Sequence, residues 1–188
     1  WGGVKKYLSE NASRPVETED FRRALEDYSG RSLGKFFDQW FYGLGYPKLK
    51  VRFSHDPKNG VGRFDIEQTQ IDTEKKVEAF EFGLELGWIL GSALETKSIQ
   101  VRDAKTSVTI PMASEPTQVR VDPNHRLLHQ LEFDPGSSKL IAQLQSAKDA
   151  IGRIQAGEQL AKTAKKTDLE TLDGAYSSES FWGVRKYW

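Results

Sequence analysis

The spacing of apolar residues divides the chain into three parts. Over residues 1–46 apolar residues recur at helical spacing, which predicts helices with one apolar face. Between residues 47 and 133 the period falls to two, as in strands with one buried and one wet face. From residue 134 to residue 188 helical spacing returns. The sequence therefore predicts a short helical segment, then an antiparallel β-sandwich, then α-helical hairpins.

The helical pattern of the first part is interrupted at predictable positions. Pro15 breaks the first helix, Thr18 can cap the second, and Gly30 can end it in a left-handed conformation. Ser32 is the predicted cap of a third helix. The apolar stripe of that helix comprises Leu33, Phe36, Phe37, Trp40 and Phe41. Aromatic residues at this spacing are typical of a buried core.

Seven short runs carry the period-two pattern of the middle part. They lie at residues 49–53, 64–66, 80–88, 99–101, 108–112, 119–121 and 131–133. Turn residues such as Pro57-Lys58-Asn59-Gly60 separate the runs. Seven strands in fewer than about 90 residues predict a small β-sandwich.

The last part reads as short helices joined by tight turns, which is typical of HEAT-like helical repeats. Their predicted N-terminal caps are Ser137 or Ser138, Asp149, Thr167 or Asp168, and Ser178. Gly152-Arg153 and Val184-Arg185 occupy similar places in two of these helices. We expect the two arginines either to pair with carboxylates or helix C-termini, or to be exposed. A helix that ends at Trp188 would leave aromatic residues uncovered, so we expect the helical series to continue.

Composition excludes several classes of function. Lysine plus arginine and aspartate plus glutamate number 27 each, so no net charge attracts nucleic acid or an anionic membrane. The dense cluster of Lys162, Lys165 and Lys166 is best interpreted as a solvated helix face. The chain has no cysteine, which excludes disulfides and thiolate metal sites within it, and no apolar run long enough to span a bilayer. The compartment stays open, with a soluble, cytoplasmic location favoured.

The three histidines do not form a recognisable catalytic motif. His55, His125 and His129 are each followed by a residue other than glutamate, so the His-Glu-x-x-His pattern of zinc proteases is absent from the chain. His125 and His129 have the spacing that would let a helix chelate a metal. They lie between Asp122-Pro123 and an apolar pair, however, where the pattern favours a turn that enters a strand.

Other candidate motifs are equally incomplete. Gly60-Val61-Gly62 lacks the third glycine and the helix of a phosphate-binding loop, and no Gly-x-Ser-x-Gly sequence is present. Glu81 and Glu85 fall on the predicted wet face of a strand, where solvated carboxylates are the rule. The sequence therefore predicts no catalytic, cofactor-binding or metal-binding residue within the chain.

Several short motifs nevertheless resemble one family. They are Tyr28-Ser29-Gly30-Arg31-Ser32-Leu33, Phe36-Phe37-Asp38-Gln39-Trp40-Phe41, Gly45-Tyr46-Pro47, Gln68-x-Gln70, Val119-x-Val121-Asp122-Pro123, Leu131-x-Phe133, Asp149-Ala150-Ile151-Gly152-Arg153 with Ala156 and Leu160, and Phe181-Trp182-Gly183-Val184-Arg185. In this order they resemble the C-terminal portion of the aminopeptidase N family of zinc metallopeptidases. The resemblance extends over essentially the whole chain.

The resemblance implies that the three parts of the chain belong to three domains of a larger parent protein. Residues 1–46 would end its catalytic domain, residues 47–133 would form its β-sandwich domain, and residues 134–188 would begin its helical-repeat domain. The family's zinc-binding and catalytic motifs precede the matched region, so no such role passes to a residue here. The parent would bind zinc, activate water and release N-terminal residues from peptide substrates. This segment would contact the rest of the parent chain, support the catalytic domain and help to enclose its site.

Two alternatives remain open at this point. The same architecture could come from a parent that has lost catalysis and serves as an interaction scaffold. An unrelated sandwich-plus-repeat module that binds a peptide or protein is the other. The sequence leaves open whether the parent keeps its zinc motif, and hence whether it is an enzyme.

Overall fold

The computed structural model describes residues 1–163 and 165–188, which form two compact units. The first unit comprises residues 1–46 and 72–78, and the second comprises residues 47–71 and 79–188. The predicted division into three domains remains a prediction. No helix in the described parts of the chain has the length and apolar character needed to cross a membrane.

The first unit is built from three helices. They are α1 (Gly2–Glu10), α2 (Thr18–Ser29) and α3 (Gly34–Phe37), and α3 continues directly into a π-helical turn at Asp38–Tyr42. A short bridge between Asp72 and Val77 completes the unit. The helical interpretation of residues 1–46 is therefore confirmed, although the π-helical turn was not predicted.

Two of the predicted helix caps in this unit are wrong. Glu17, and not Thr18, precedes α2, because Glu17 and Asp20 exchange side-chain-to-backbone hydrogen bonds in a capping box. Leu33, and not Ser32, precedes α3, and its N–H donates to Glu26 Oε1 at 2.6 Å. The predicted end of α2 is confirmed, since Gly30 is left-handed with φ of 68°.

Phe37 lies at the centre of the first unit and is 1% exposed. Its ring stacks on Phe41 with centroids 4.3 Å apart and meets the edges of Phe21 and Phe36. Phe36 and Phe41 themselves are about half exposed, contrary to the predicted buried stripe. Of the five stripe residues only Phe37 is fully buried, while Leu33 and Trp40 are half-buried.

Seven strands form two small sheets in the second unit. The strands are β1 (Lys48–Asp56), β2 (Val61–Gln68), β3 (Phe82–Ile89), β4 (Glu95–Val101), β5 (Lys105–Pro111), β6 (Gln118–Val121) and β7 (Gln130–Phe133). The four-stranded sheet has the order β5-β2-β1-β7, and the three-stranded sheet has the order β4-β3-β6. The apolar alternate residues, among them Phe64, Leu84 and Leu86, are buried as the period predicts.

One strand pair contradicts the predicted antiparallel sheet. β7 runs parallel to β1, with Lys48 opposite Gln130 and Val51 opposite Phe133. The other four pairs are antiparallel. Parallel pairing is possible here because β1 and β7 are joined by a long connection that contains the other five strands, and not by a hairpin.

Gln68 is a buried polar residue in the core of this unit, where it is only 3% exposed. Its Nε2 donates to the carbonyl oxygens of Phe80 at 2.9 Å and Asp103 at 3.1 Å. Its Oε1 accepts the Phe80 N–H at 2.9 Å and an amide N–H of Gln70 at 2.8 Å. Because Gln68 ends β2 and Phe80 leads into β3, this one amide ties the four-stranded sheet to the three-stranded sheet.

Four helices complete the part of the second unit that the structure describes. They are α4 (Ser137–Ser146), α5 (Ala150–Thr163), α6 (Lys166–Ser178) and the single turn α7 (Trp182–Arg185). Their shared core comprises Leu140, Leu144, Ala156, Leu160 and Leu172. Gly136 precedes α4 with φ of 94°, so neither predicted serine caps that helix. Ser137 instead donates to the buried Asp168 at 2.8 Å.

Candidate functional site

The polar site with the most convergent contacts lies where β6 meets the N-terminus of α5. Arg120, on β6, donates from Nη1 to Asp149 Oδ2 at 2.7 Å and from Nη2 to Asp149 Oδ1 at 3.0 Å. The side chain of Arg120 is only 6% exposed, whereas that of Asp149 is 39% exposed. A two-pronged guanidinium–carboxylate pair of this kind fixes orientation as well as distance. We call Arg120, Asp149 and Gly152 the β6–α5 junction.

Asp149 also caps α5, as the sequence predicts. Its Oδ1 accepts the Gly152 N–H at 2.6 Å, and the Nε2 of His125 lies 3.6 Å from the same oxygen. Burial on its own raises the pKa of the Asp149 carboxyl, but the hydrogen bonds from Arg120 and Gly152 outweigh it and lower the pKa to about 2. The carboxylate is therefore charged at every pH at which proteins normally function.

Glycine is needed at position 152 because a larger side chain would collide with its neighbours, and not because of the backbone conformation. A Cβ at this position would lie 2.5 Å from Arg120 Nη2 and 2.9 Å from Asp149 Oδ1. The guanidinium therefore packs directly against the first turn of α5. The close approach accounts for Gly152, and the cap of α5 accounts for Asp149.

Further hydrogen bonds join the same strand and helices. Gln118 Nε2 donates to Ser146 Oγ at 2.6 Å and to the Ala142 carbonyl at 3.1 Å, so β6 also holds α4. Gln143 Nε2 donates to the Gly152 carbonyl at 2.8 Å, which joins α4 to α5. Together with the β6–α5 junction, these bonds hold the three-stranded sheet and the helices in one arrangement.

The two histidines with metal-chelating spacing lie in the predicted turn that enters β7. Asp122 is buried, has φ of 46°, and accepts the N–H groups of Arg126 and Leu127, both at 3.0 Å. His129 Nδ1 lies 2.9 Å from the Leu127 carbonyl oxygen and 3.8 Å from Asp122 Oδ2. Within the described residues, no group of three or more metal-ligating side chains is found.

The other candidates from the sequence lie apart from one another. Gly60 has φ of 62° and belongs to the β1–β2 hairpin turn, as its turn signal predicts. Glu81 precedes β3, whereas Glu85 lies within it, is half-buried and accepts a hydrogen bond from Asn124. Glu85 thus supports the turn after β6 through a hydrogen bond that remains exposed to solvent. The cluster of Lys162, Lys165 and Lys166 is exposed, as predicted.

A second polar contact joins the later helices. Arg153 Nε donates to Glu179 Oε2 at 2.6 Å, and its Nη1 donates to the Ala147 carbonyl at 3.0 Å. Arg185 Nη1 donates to the Glu179 carbonyl. The hydrogen bond from Arg153 lowers the pKa of the Glu179 carboxyl. Of the two alternatives for Arg153 and Arg185, pairing is confirmed.

Comparison with known proteins identifies sequences that are similar to this chain. Aminopeptidase 2 of Candida albicans is 22% identical over 190 residues, which cover 95% of this chain and 20% of that protein. A glutamyl aminopeptidase of Bitis rhinoceros is 38% identical over 65 residues, which cover 30% of this chain and 7% of that protein. The resemblance to aminopeptidases is confirmed. No protein-family model matches the chain.

The fold of this aminopeptidase-like chain has a solved counterpart. Aminopeptidase A of Legionella pneumophila, solved in complex with aspartic acid, matches 95% of this chain with a TM-score of 0.73 and 17% sequence identity. The match covers 22% of that chain. The chain thus spans a fifth or less of the curated relatives that it matches.

Sequence reasoning missed Arg120, and it noted Gln68 only as part of a motif without its role in the core. Arg120 follows Val119 and precedes Val121, so the period-two pattern puts it on the wet face of a strand. All four residues of β6 are buried, because the helices cover the face that the pattern predicts to be wet. The hydrogen-bond acceptor for Arg120 lies far along the chain, and no local signal connects the two.

Proposed function

We propose that this chain is a non-catalytic, C-terminal portion of a zinc aminopeptidase whose parent removes N-terminal residues from peptides. The observation that carries the proposal is the alignment of 95% of the chain with only 20% of aminopeptidase 2. The chain would support the catalytic domain and help to enclose its site. Zinc would be bound by residues of the parent that lie outside this chain.

The polar contacts of the second unit are consistent with a structural role. Its buried charged and amide side chains are used to join one element to another: Arg120 joins β6 to α5, Gln68 joins the two sheets, and Gln143 joins α4 to α5. Side chains committed in this way are held in fixed positions by their partners. Such an arrangement suits a rigid support.

We further propose that α4–α5 and α6–α7 are two HEAT-like hairpins. The proposal is supported by the packing of α4 on α6 and of α5 on α7. The first helices of the two hairpins therefore contact each other, and so do the second helices. It is also supported by Glu179, which precedes α7 and holds both Arg153 and Arg185. Further repeats downstream would extend the same series.

A direct assay tests the proposal. The purified chain is incubated with the p-nitroanilides of leucine, glutamate and arginine, with and without added zinc, and its bound metal is measured. We expect no turnover and no stoichiometric zinc. Zinc-dependent turnover by this chain alone would overturn the proposal.

The full-length parent protein provides the matched comparison. It should hydrolyse at least one of the same substrates, and a chelator should abolish that hydrolysis. A parent that has neither zinc nor turnover would instead favour the interaction scaffold, which has the same architecture without catalysis.

A further inference from the structure

Two strand edges in the second unit carry backbone groups that point away from their sheets. β6 and β7 are edge strands, at the ends of the orders β4-β3-β6 and β5-β2-β1-β7. In a strand, the N–H and C=O of alternate residues point to the same side. Which residues face the partner strand therefore decides which residues face outward.

The hydrogen bonds at the strand ends fix this alternation. In β7 the Gln130 N–H donates to the Pro47 carbonyl at 3.0 Å, so Gln130 and Glu132 bond to β1, while Leu131 and Phe133 point outward. In the other sheet the Asp122 N–H donates to the Glu85 carbonyl at 2.7 Å. The same alternation directs the backbone groups of two β6 residues outward, those of Val119 and Val121.

These outward groups have no partner within the described parts of the chain. No hydrogen bond there joins the N–H or C=O of Val119, Val121, Leu131 or Phe133 to another residue beyond its own sheet. Val119 and Val121 are nevertheless buried, at 1% and 4% exposure. Leaving buried backbone donors and acceptors such as these unpaired is costly. Leu131 and Phe133 are only half-buried, so the edge of β7 can be reached from outside.

Both edges line the same cavity, whose volume is about 360 Å³. This volume lies within the range of small-ligand and peptide sites, roughly 300–1,000 Å³. α5 forms another wall, with Gln155, Glu158, Gln159 and Lys162 facing the cavity, and apolar side chains including Leu140 complete it. A second groove continues along β7 and shares Leu131, Phe133 and Gln159 with the cavity.

We propose that this cavity binds an extended peptide segment, which adds as a strand to the outer edge of β7. The unpaired groups of Leu131 and Phe133 have the spacing of a strand edge, and an extended backbone is the ligand whose donors and acceptors repeat at that spacing. Peptide binding at this site does not depend on catalysis by a parent. It can therefore be tested separately from the aminopeptidase proposal.

The walls of the cavity define the chemistry of the bound segment. Alternate side chains of an added strand point to opposite sides. The lining offers both kinds of partner, namely apolar residues such as Leu127 and Leu140 and the amides and opposite charges of α5. The segment should therefore alternate apolar and neutral polar residues, and its backbone should supply most of the affinity.

Residue-resolved amide hydrogen exchange tests the geometry. The probe is a capped Thr-Val-Thr-Val-Thr peptide at about 1 mM, where even weak binding is detected. In the free protein, the Leu131 and Phe133 amides should exchange at least about tenfold faster than those of Gln130 and Glu132. The peptide should slow Leu131 and Phe133 by about tenfold or more and leave Gln130 and Glu132 unchanged. Equal protection of all four amides without peptide, or no slowing with it, would overturn the proposal.

A modified peptide separates backbone pairing from apolar contact. The same sequence with every second amide N-methylated keeps its side chains but loses half of its donors. We expect its dissociation constant, measured by titration, to be at least about tenfold higher. Equal affinity of the two peptides would contradict strand addition.

Two protein variants complete the test. Gln159→Trp, in the wall shared by the cavity and the groove, should weaken peptide binding at least about tenfold by filling the space. The matched control is Gln145→Trp on the exposed side of α4, which should change the dissociation constant less than about twofold. Equal losses in both variants, or none in Gln159→Trp, would count against the cavity as the site.

Discussion

Arg120 and Asp149 hold β6 against the first turn of α5 through two nearly parallel hydrogen bonds, at 2.7 and 3.0 Å. The two residues come from strand and helix segments that the sequence assigns to different parts of the chain. Because Asp149 also caps α5, the same carboxylate begins the helix and attaches it to the sheet. Loss of either partner should therefore affect both functions.

Arg120→Ala should lower the free energy of unfolding by about 2 kcal/mol, because it leaves the Asp149 carboxylate without its main partner. The value is below that for a fully buried pair, since the Asp149 side chain is 39% exposed. Urea denaturation monitored by circular dichroism measures the change. The control is Glu170→Ala, which removes the exposed Lys166–Glu170 pair and should cost less than about 0.5 kcal/mol. Equal losses of unfolding free energy in the two variants would mean that the junction stabilises the fold no more than an exposed ion pair does.

The stability contributed by Asp149 should depend on acid pH. Its pKa is about 2 in the folded chain, against about 3.9 for an unfolded aspartate. A lowered pKa stabilises the fold fully above about pH 4, and that contribution is lost as the pH falls towards 2. The stability difference between the native chain and Asp149→Asn should therefore shrink by about 1 kcal/mol between pH 6 and pH 2.5. Thermal denaturation at both pH values measures it, and a constant difference would contradict the assignment.

Gly152→Ala should destabilise the chain by about 1–3 kcal/mol, although alanine normally favours helices. The new methyl group would meet the held guanidinium of Arg120 at 2.5 Å. Gly174→Ala is the matched control in α6, where a Cβ meets nothing within 4 Å, and it should stabilise by about 0.5–1 kcal/mol. The two substitutions should thus shift the denaturation midpoint in opposite directions. A shift of the same sign in both would disprove the contact.

Gln68→Ala should cost about 2–4 kcal/mol in unfolding free energy, because it removes a well-packed side chain together with its hydrogen bonds to the N–H and C=O of Phe80. Gln100→Ala, on the exposed side of the edge strand β4, is the same chemical change and should cost less than about 0.5 kcal/mol. Chemical denaturation of both variants provides the measurement. Similar small losses would show that the two sheets do not depend on this amide.

Local patterns in the sequence predict the elements well where one face of an element is buried. The alternation at Phe64 and Ile66 predicts a strand, and the left-handed end of α2 at Gly30 follows from the glycine. Asp149 as the cap of α5 is confirmed for the same reason, since a cap depends on neighbouring residues. Each of these features is determined within a few residues of chain.

Features that depend on distant residues could not be predicted. The parallel pairing of β1 with β7 joins Lys48 to Gln130, and no local pattern specifies the direction of such a pair. Burial of Arg120 depends on helices that cover β6 from further along the chain. The backbone edges of β6 and β7 are invisible to hydrophobic patterning, because main-chain donors and acceptors are the same in every sequence.

The parallel β1–β7 pair has a consequence for synthesis on the ribosome. The β1–β2 hairpin can form soon after Gln68 emerges, but the strand that covers the other edge of β1 ends only at Phe133. During the intervening interval the nascent chain exposes an incomplete sheet, and such edges are where incomplete chains aggregate. A translation product that stops before Gln130 lacks β7, so the edge of β1 that β7 covers stays unpaired and quality control should meet truncated chains with this strand exposed.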